Sequence, residues 1–86
     1  MAKKAIVNRW EEHHKFLENQ PGKNGKSLST ERKEEICRLC GWSNATFYRK
    51  MEKPVEGPSI SEKITIAQVY NMPSHFLFPE LENQTV

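Results

Sequence analysis

The 86-residue chain contains no aspartate; its eleven acidic side chains are all glutamate, scattered through segments of helical pattern. It has no glycine-rich phosphate loop, no serine elbow, and no nucleophile set beside a paired base. Catalysis is therefore not expected. So short a chain buries only about 60–65% of its unfolded surface, which leaves a small core in one domain and no room for a large lidded cleft. No apolar run approaches the roughly 20 residues of a membrane span. Lys3 and Lys4 are followed not by an apolar stretch but by Glu11, Glu12, His13 and His14. A signal peptide is thus not expected, and a cytoplasmic location is.

Cysteine is scarce too. Cys37 and Cys40 stand three apart, which on a helix separates their Cβ atoms by about 5–6 Å. A disulfide needs roughly 3.5–4.5 Å, so both read as reduced thiols. Zinc would need four ligands in a tetrahedron. His13, His14 and His75 do not complete a set with the two thiols, because adjacent histidines on a helix point to different faces. No metal, cofactor or small-molecule ligand is expected.

Charge is uneven along the chain. Residues 1–53 carry 12 Lys and Arg against 7 Glu, an excess of five positive charges, while residues 54–86 carry Lys63 against 4 Glu, a deficit of three. This asymmetry fits one face for a polyanion and another for something else, and it also fits ordinary solvated surface.

The apolar spacing predicts an all-α bundle of four to five short helices with no strand and no repeat. Residues 4–19 form a first helix on Ile6, Trp10, His13 and Phe16 or Leu17, ended by Pro21-Gly22. Lys23-Asn24-Gly25-Lys26 is a basic loop. Ser29 is the expected N-cap of a helix over 30–40, whose apolar face is Ile36, Cys37, Leu39 and Cys40. Gly41 fits a left-handed C-cap, Trp42 a buried anchor, and Ser43 or Asn44 the cap of the next helix, about 44–52. Two prolines and a glycine make 53–58 a loop. Ser59 or Ser61 then opens a helix with Ile60, Ile64, Ala67 and Val69 or Tyr70 along one side, stopped at Asn71-Met72-Pro73. A last turn spans 74–78, and residues 80–86 read as a flexible tail. The organisation expected is an N-terminal helix and loop over 1–27, a core over 28–79, and that tail.

Two short helices joined by a tight turn are the informative unit. Small Cys37 lets the helices cross closely, Gly41 turns the chain, Trp42 plugs the corner, and Phe47 lies on the inner side of the second helix. Such a helix-turn-helix projects the start of its second helix outward, where it can enter a major groove.

With those residues in place, 28–79 resembles the phage-repressor and Cro type of helix-turn-helix domain. The stretch Ser43-Asn44-Ala45-Thr46-Phe47-Tyr48-Arg49-Lys50 resembles that family's turn and recognition helix. Ile66-Ala67-Gln68-Val69-Tyr70-Asn71-Met72-Pro73 with Leu77-Phe78-Pro79 resembles its ending. Cys37 stands where alanine is usual, and the late apolar position falls on Met51, with Lys50 where an apolar residue is common. The resemblance implies a five-helix lambda-repressor-like fold and sequence-specific binding of double-stranded DNA by a small transcriptional regulator of phage or mobile-element type. It also implies that the last helix can mediate a homodimer, so Phe76, Leu77 and Phe78 are either a core lid or a dimer surface.

The candidate base contacts are Asn44, Ala45, Thr46, Tyr48 and Arg49. Arginine pairs with guanine, asparagine with adenine, and the Ala or Thr methyl meets the thymine methyl. The candidate phosphate contacts are Lys50 and Lys53, with Ser29, Thr30 and Lys33 at a helix N-terminus and Lys23 and Lys26 in the loop. The competing expectation is a protein-interaction module, antitoxin-like or an adaptor, using the same helices.

Overall fold

The computed structural model describes residues 8–23 and 25–83, and every regular element within them is helical. The expected helix start at residue 4, Ile6 of its apolar pattern, Asn24 of the basic loop and residues 84–86 lie outside that range. The elements are α1 (Arg9–Leu17), α2 (Leu28–Cys40), α3 (Asn44–Glu52), α4 (Ile60–Tyr70), the single turn α5 (Ser74–Leu77) and a 3-10 helix (Pro79–Asn83).

Each of the four longer helices starts on a side-chain cap. Asn8, Ser27, Ser43 and Ser59 accept from first-turn amides of α1 to α4 respectively. Ser59 and Glu62 reciprocate in a capping box, which fixes the start of α4. The cap of α2 is Ser27 rather than the expected Ser29. The preceding loop decides this: Pro21 pairs with Ser27 in an isolated antiparallel bridge, and the Leu28 N–H donates to Gln20 O at 2.9 Å. The chain is thereby aimed into the helix two residues early. Gly41 ends α2 at φ 73°, as expected, and its N–H and that of Trp42 both donate to Cys37 O. Most side chains are strained at that φ and glycine is not.

Trp10 sits at the centre of the core. It is fully buried, with the Phe47 and Phe78 rings edge-on to it, each at a centroid distance of 5.6 Å. Such pairs are worth about 0.5–1.5 kcal/mol each beyond the area they bury. Around it pack Leu17 of α1, Ile36 of α2, Met51 of α3, and Ile66, Ala67 and Tyr70 of α4, with Leu77 closing the end.

Several expected faces are rotated. In α1 the buried positions are Trp10, His14 and Leu17, while Phe16 points to solvent. In α2 Leu39 is half exposed, leaving Ile36 as the deep contact and Cys37 and Cys40 as partial ones. Trp42 is half-buried, with the Lys50 Nζ 5.4 Å from its ring centroid. In α4 the inward residues are Lys63, Ile66, Ala67 and Tyr70, and the expected Ile60 and Ile64 face outward. Helical spacing alone cannot choose between these phases, because α4 carries aliphatic side chains on all sides.

Lys63 shares the inward face with Ile66, Ala67 and Tyr70. Its Nζ donates to Val55 O at 3.0 Å and lies 2.9 Å from Glu80 Oε2, an approach that gives charge attraction without a directed hydrogen bond. One buried ammonium thus joins the 53–58 loop, α4 and the 3-10 helix. Residues 79–83 are accordingly structured, with Leu81 packed on the core, where a free tail was expected from Glu80.

Candidate nucleic-acid interface

Phe47 and Met51, one turn apart, anchor α3 to the core. Their burial leaves Asn44, Ala45, Tyr48, Arg49 and Glu52 exposed. At 100° per residue these five fall within about 140° of arc, so they form one outward stripe along the helix. Ser43 takes the cap, with the Thr46 N–H donating to its hydroxyl at 3.2 Å. The Asn44 amide is therefore not spent on capping. Glu52 places a carboxylate at the far end of the stripe, so its N-terminal half is the part suited to a polyanion.

The remaining candidates divide by location. Lys33 belongs with the stripe, since its Nζ stands 5.5 Å from the Tyr48 ring centroid and brings a cation from α2 onto the α3 face. Lys53, at the C-cap of α3, is exposed. Thr46 lies off the stripe, half-buried, its hydroxyl accepting from Ser43 at 3.1 Å.

Lys50 is committed elsewhere: Nζ donates to Gly57 O at 2.9 Å and caps the Trp42 ring. It braces the loop after α3 and is not free for a phosphate.

The start of α2 is also not an anion site. Ser29 is buried. Leu28 N–H is spent on Gln20 O, Thr30 N–H on Ser27 Oγ and Glu31 N–H on Ser27 O. The Thr30 hydroxyl bonds Ser27, and Glu31 in the first turn takes the Lys23 N–H. A phosphate there would meet a carboxylate. The Lys26 ammonium pairs with Glu34 at 3.0 Å. Glu31 and Glu34 are about 100–160° around α2 from Lys33, so Lys23 and Lys26 do not share the face of Lys33. The structure thus gathers Asn44, Ala45, Tyr48, Arg49 and Lys33, and separates Lys23, Lys26, Ser29 and Thr30 from them.

Asn8 holds this face in place, and the sequence reading missed it. Its Oδ1 caps α1 at 3.0 Å from Glu11 N, while its Nδ2 donates to Met51 O at 2.8 Å in the last turn of α3. Asn8 followed by Glu11 at N3 is the sequence signal for such a cap, but nothing local announces the reach to Met51. Arg9 likewise links α1 to the far end: Nη1 donates to Phe76 O at 3.1 Å and the guanidinium lies 4.8 Å from the Phe76 ring centroid. Leu77 and Phe78 are buried, so only Phe76 of the expected dimer surface is exposed.

Behind the stripe runs a buried polar chain. Trp10 Nε1–H donates to Tyr70 Oη at 3.1 Å, and Tyr70 Oη is 3.0 Å from His14 Nδ1. Indole can only donate, so the phenol accepts from Trp10 and its own proton is free for His14. Burial pushes the Tyr70 phenol far above its ordinary range and pulls His14 and His13 below the ordinary imidazole value, with Arg32 adding to the effect on His13. Burial also raises the Cys37 and Cys40 thiols, which are free. Among the described residues no three His, Cys, Asp or Glu side chains are grouped to hold a metal ion, and no helix is long and apolar enough to cross a membrane. No protein-family model matches the chain, no curated protein matches it, and no solved structure does.

Proposed function

We propose that the chain binds double-stranded DNA sequence-specifically, with α3 in the major groove, as a small transcriptional regulator. The observation that carries this reading is the α3 stripe: an amide, a methyl, a phenol and a guanidinium all outward, on a helix pinned from behind by Phe47 and Met51. Arg49 and Asn44 supply the two side-chain types that pair bidentately with guanine and adenine, and Ala45 supplies a methyl for thymine. Lys33 and Lys53 flank the stripe and serve as phosphate contacts, which position without specifying. The resemblance of 28–79 to phage-repressor and Cro-type domains supports the same docking.

The test is fluorescence anisotropy with a random duplex pool from about 50 to 200 mM salt, followed by selection of a cognate site. At a slope of about −0.9 per phosphate contact, Lys33 and Lys53 alone lower affinity by roughly tenfold over that range. Arg49→Ala then costs about 1–3 kcal/mol on the selected site and relaxes one base position, whereas Lys53→Ala weakens all sequences alike and flattens the salt slope. An unchanged site preference in Arg49→Ala refutes its role.

One observation favours the interaction-module reading: Ile60 and Ile64 lie one turn apart on the outer side of α4, both over 40% exposed. Absence of duplex binding at the lowest salt decides for it.

A further inference from the structure

His14 touches both Tyr70 of the buried polar chain and Tyr48 of the outward stripe. Its Nδ1 meets Tyr70 Oη of α4 at 3.0 Å. Its ring lies 5.3 Å from that of Phe47 and 6.3 Å, edge-on, from that of Tyr48, the inner and outer aromatics of α3. The imidazole is almost fully buried, although its own helix is otherwise polar at the neighbouring positions Glu11, Glu12 and Lys15.

We propose that the Trp10–Tyr70–His14 chain is a pH-sensitive link that holds α3 in its binding position while His14 is neutral and releases it when His14 is charged. The hydrogen-bonding capacity of the three groups is the basis for this. Trp10 Nε1–H fills one acceptor position of the Tyr70 oxygen, and the arrangement of neutral His14 that also gives the Tyr70 proton a partner has Tyr70 donating to Nδ1, with the imidazole proton on Nε2. Charging His14 puts a proton on Nδ1. Two donors then face one phenol oxygen, and the Tyr70 hydroxyl proton has to turn into apolar surroundings. The ring that charges is packed against Phe47 and Tyr48, so the strain is delivered to the inner side of α3.

The surroundings oppose the charge on balance. Glu18, at the end of α1, favours the charged ring, whereas burial, Lys33 of α2 and neighbouring His13 disfavour it. The α3 and α4 groups facing it are the neutral Phe47 and Tyr48 rings and the Tyr70 phenol. Charged His14 therefore prefers an opened arrangement in which it reaches water, and each pH unit below its ordinary 6.5 favours that arrangement by up to tenfold, until the folded protein itself takes up the proton.

The consequence for binding rests on the DNA reading above; the link itself does not. The test is amide hydrogen exchange across residues 44–52 with an NMR titration of the imidazoles of the intact protein, from pH 7.5 to 5.0. Duplex affinity is followed in parallel. The expected result is a neutral, Nε2-protonated His14 at pH 7.5. Below pH 6.5 opening of 44–52 rises by up to tenfold per pH unit and duplex affinity falls, against the gain that added positive charge gives to binding a polyanion. His14→Asn keeps an acceptor for Tyr70 but no titration, and removes the dependence; His13→Gln retains it. If His14 titrates near 6.5 with no change in 44–52, or if His14→Asn keeps the full dependence, the link is overturned. Loosening of 44–52 on schedule in a protein that binds no duplex at any pH supports the link and overturns the DNA reading.

Discussion

Replacing Lys63 with methionine isolates the contribution of a buried ammonium. The side chain is 5% exposed and Glu80 opposite it is 23% exposed. Methionine has nearly the same length and keeps the stem packed, so the change removes the charge and little volume. The lost bond from a charged donor to Val55 O is worth about 1.5–3 kcal/mol. Breaking a fully buried ion pair costs about 3–5 kcal/mol, but Glu80 retains access to water and falls at or below the low end. Exchanging an ammonium for a thioether near Phe78 returns about 1 kcal/mol of apolar burial. Lys63→Met should then destabilise by about 2–4 kcal/mol. Adding Glu80→Gln removes the orphaned carboxylate and should restore about 1–2 kcal/mol of that loss. Urea unfolding of both single variants and the double variant measures the coupling directly. A coupling below about 0.3 kcal/mol would refute the reasoning and make the pairing incidental.

Three further perturbations test other joints. Gly57→Ala puts a Cβ 2.8 Å from Lys53 O and 2.9 Å from Lys50 O, both backbone, and should cost about 1–3 kcal/mol in chemical denaturation as the loop is forced off α3. Tyr70→Phe leaves Trp10 Nε1 and His14 Nδ1 without a partner; at about 1–3 kcal/mol for each stranded group and 4–8 °C per kcal/mol, Tm should fall by roughly 10 °C or more. Stability should depend on pH through His13 and His14, whose folded values lie below their ordinary 6.5. The unfolded chain binds the extra protons, so stability is full above pH 6.5 and is lost as pH falls below it, by up to tenfold in the folding constant per pH unit per histidine. A Tm that is flat between pH 7.5 and 5 would contradict the desolvation of the buried His14 and partly buried His13 rings.

Elements announced by local chemistry were legible in the sequence. Gly41 and the prolines at 54 and 58 set boundaries that need no tertiary context, and Ser59 stood among the foreseen caps of α4. The exposed stripe of Asn44, Ala45, Tyr48 and Arg49 was legible for the same reason: once Phe47 and Met51 are inward, helical geometry leaves those four outside. What was not legible depends on partners far along the chain. Three hydroxyls compete at Ser27, Ser29 and Thr30, and a loop hydrogen bond to Gln20 selects the first. Lys63 can occupy a core position because Glu80 and Val55 O await it there, and on the same helix Ile60 and Ile64 face outward. Lys50 reads as a surface cation until Gly57 O is found in front of it.

The central place of Trp10 has a consequence for how the chain reaches its final state. Helical bundles usually fold fast because most of their contacts are local. Here the indole bonds a residue 60 positions downstream, and Phe78, still further on, covers another side of it. During synthesis the Trp10 side chain lacks its last covering neighbours until Tyr70 and Phe78 have followed. The core is closed by joining its two ends, so Trp10 has its full set of aromatic neighbours only when α1, α3, α4 and Phe78 are all in place.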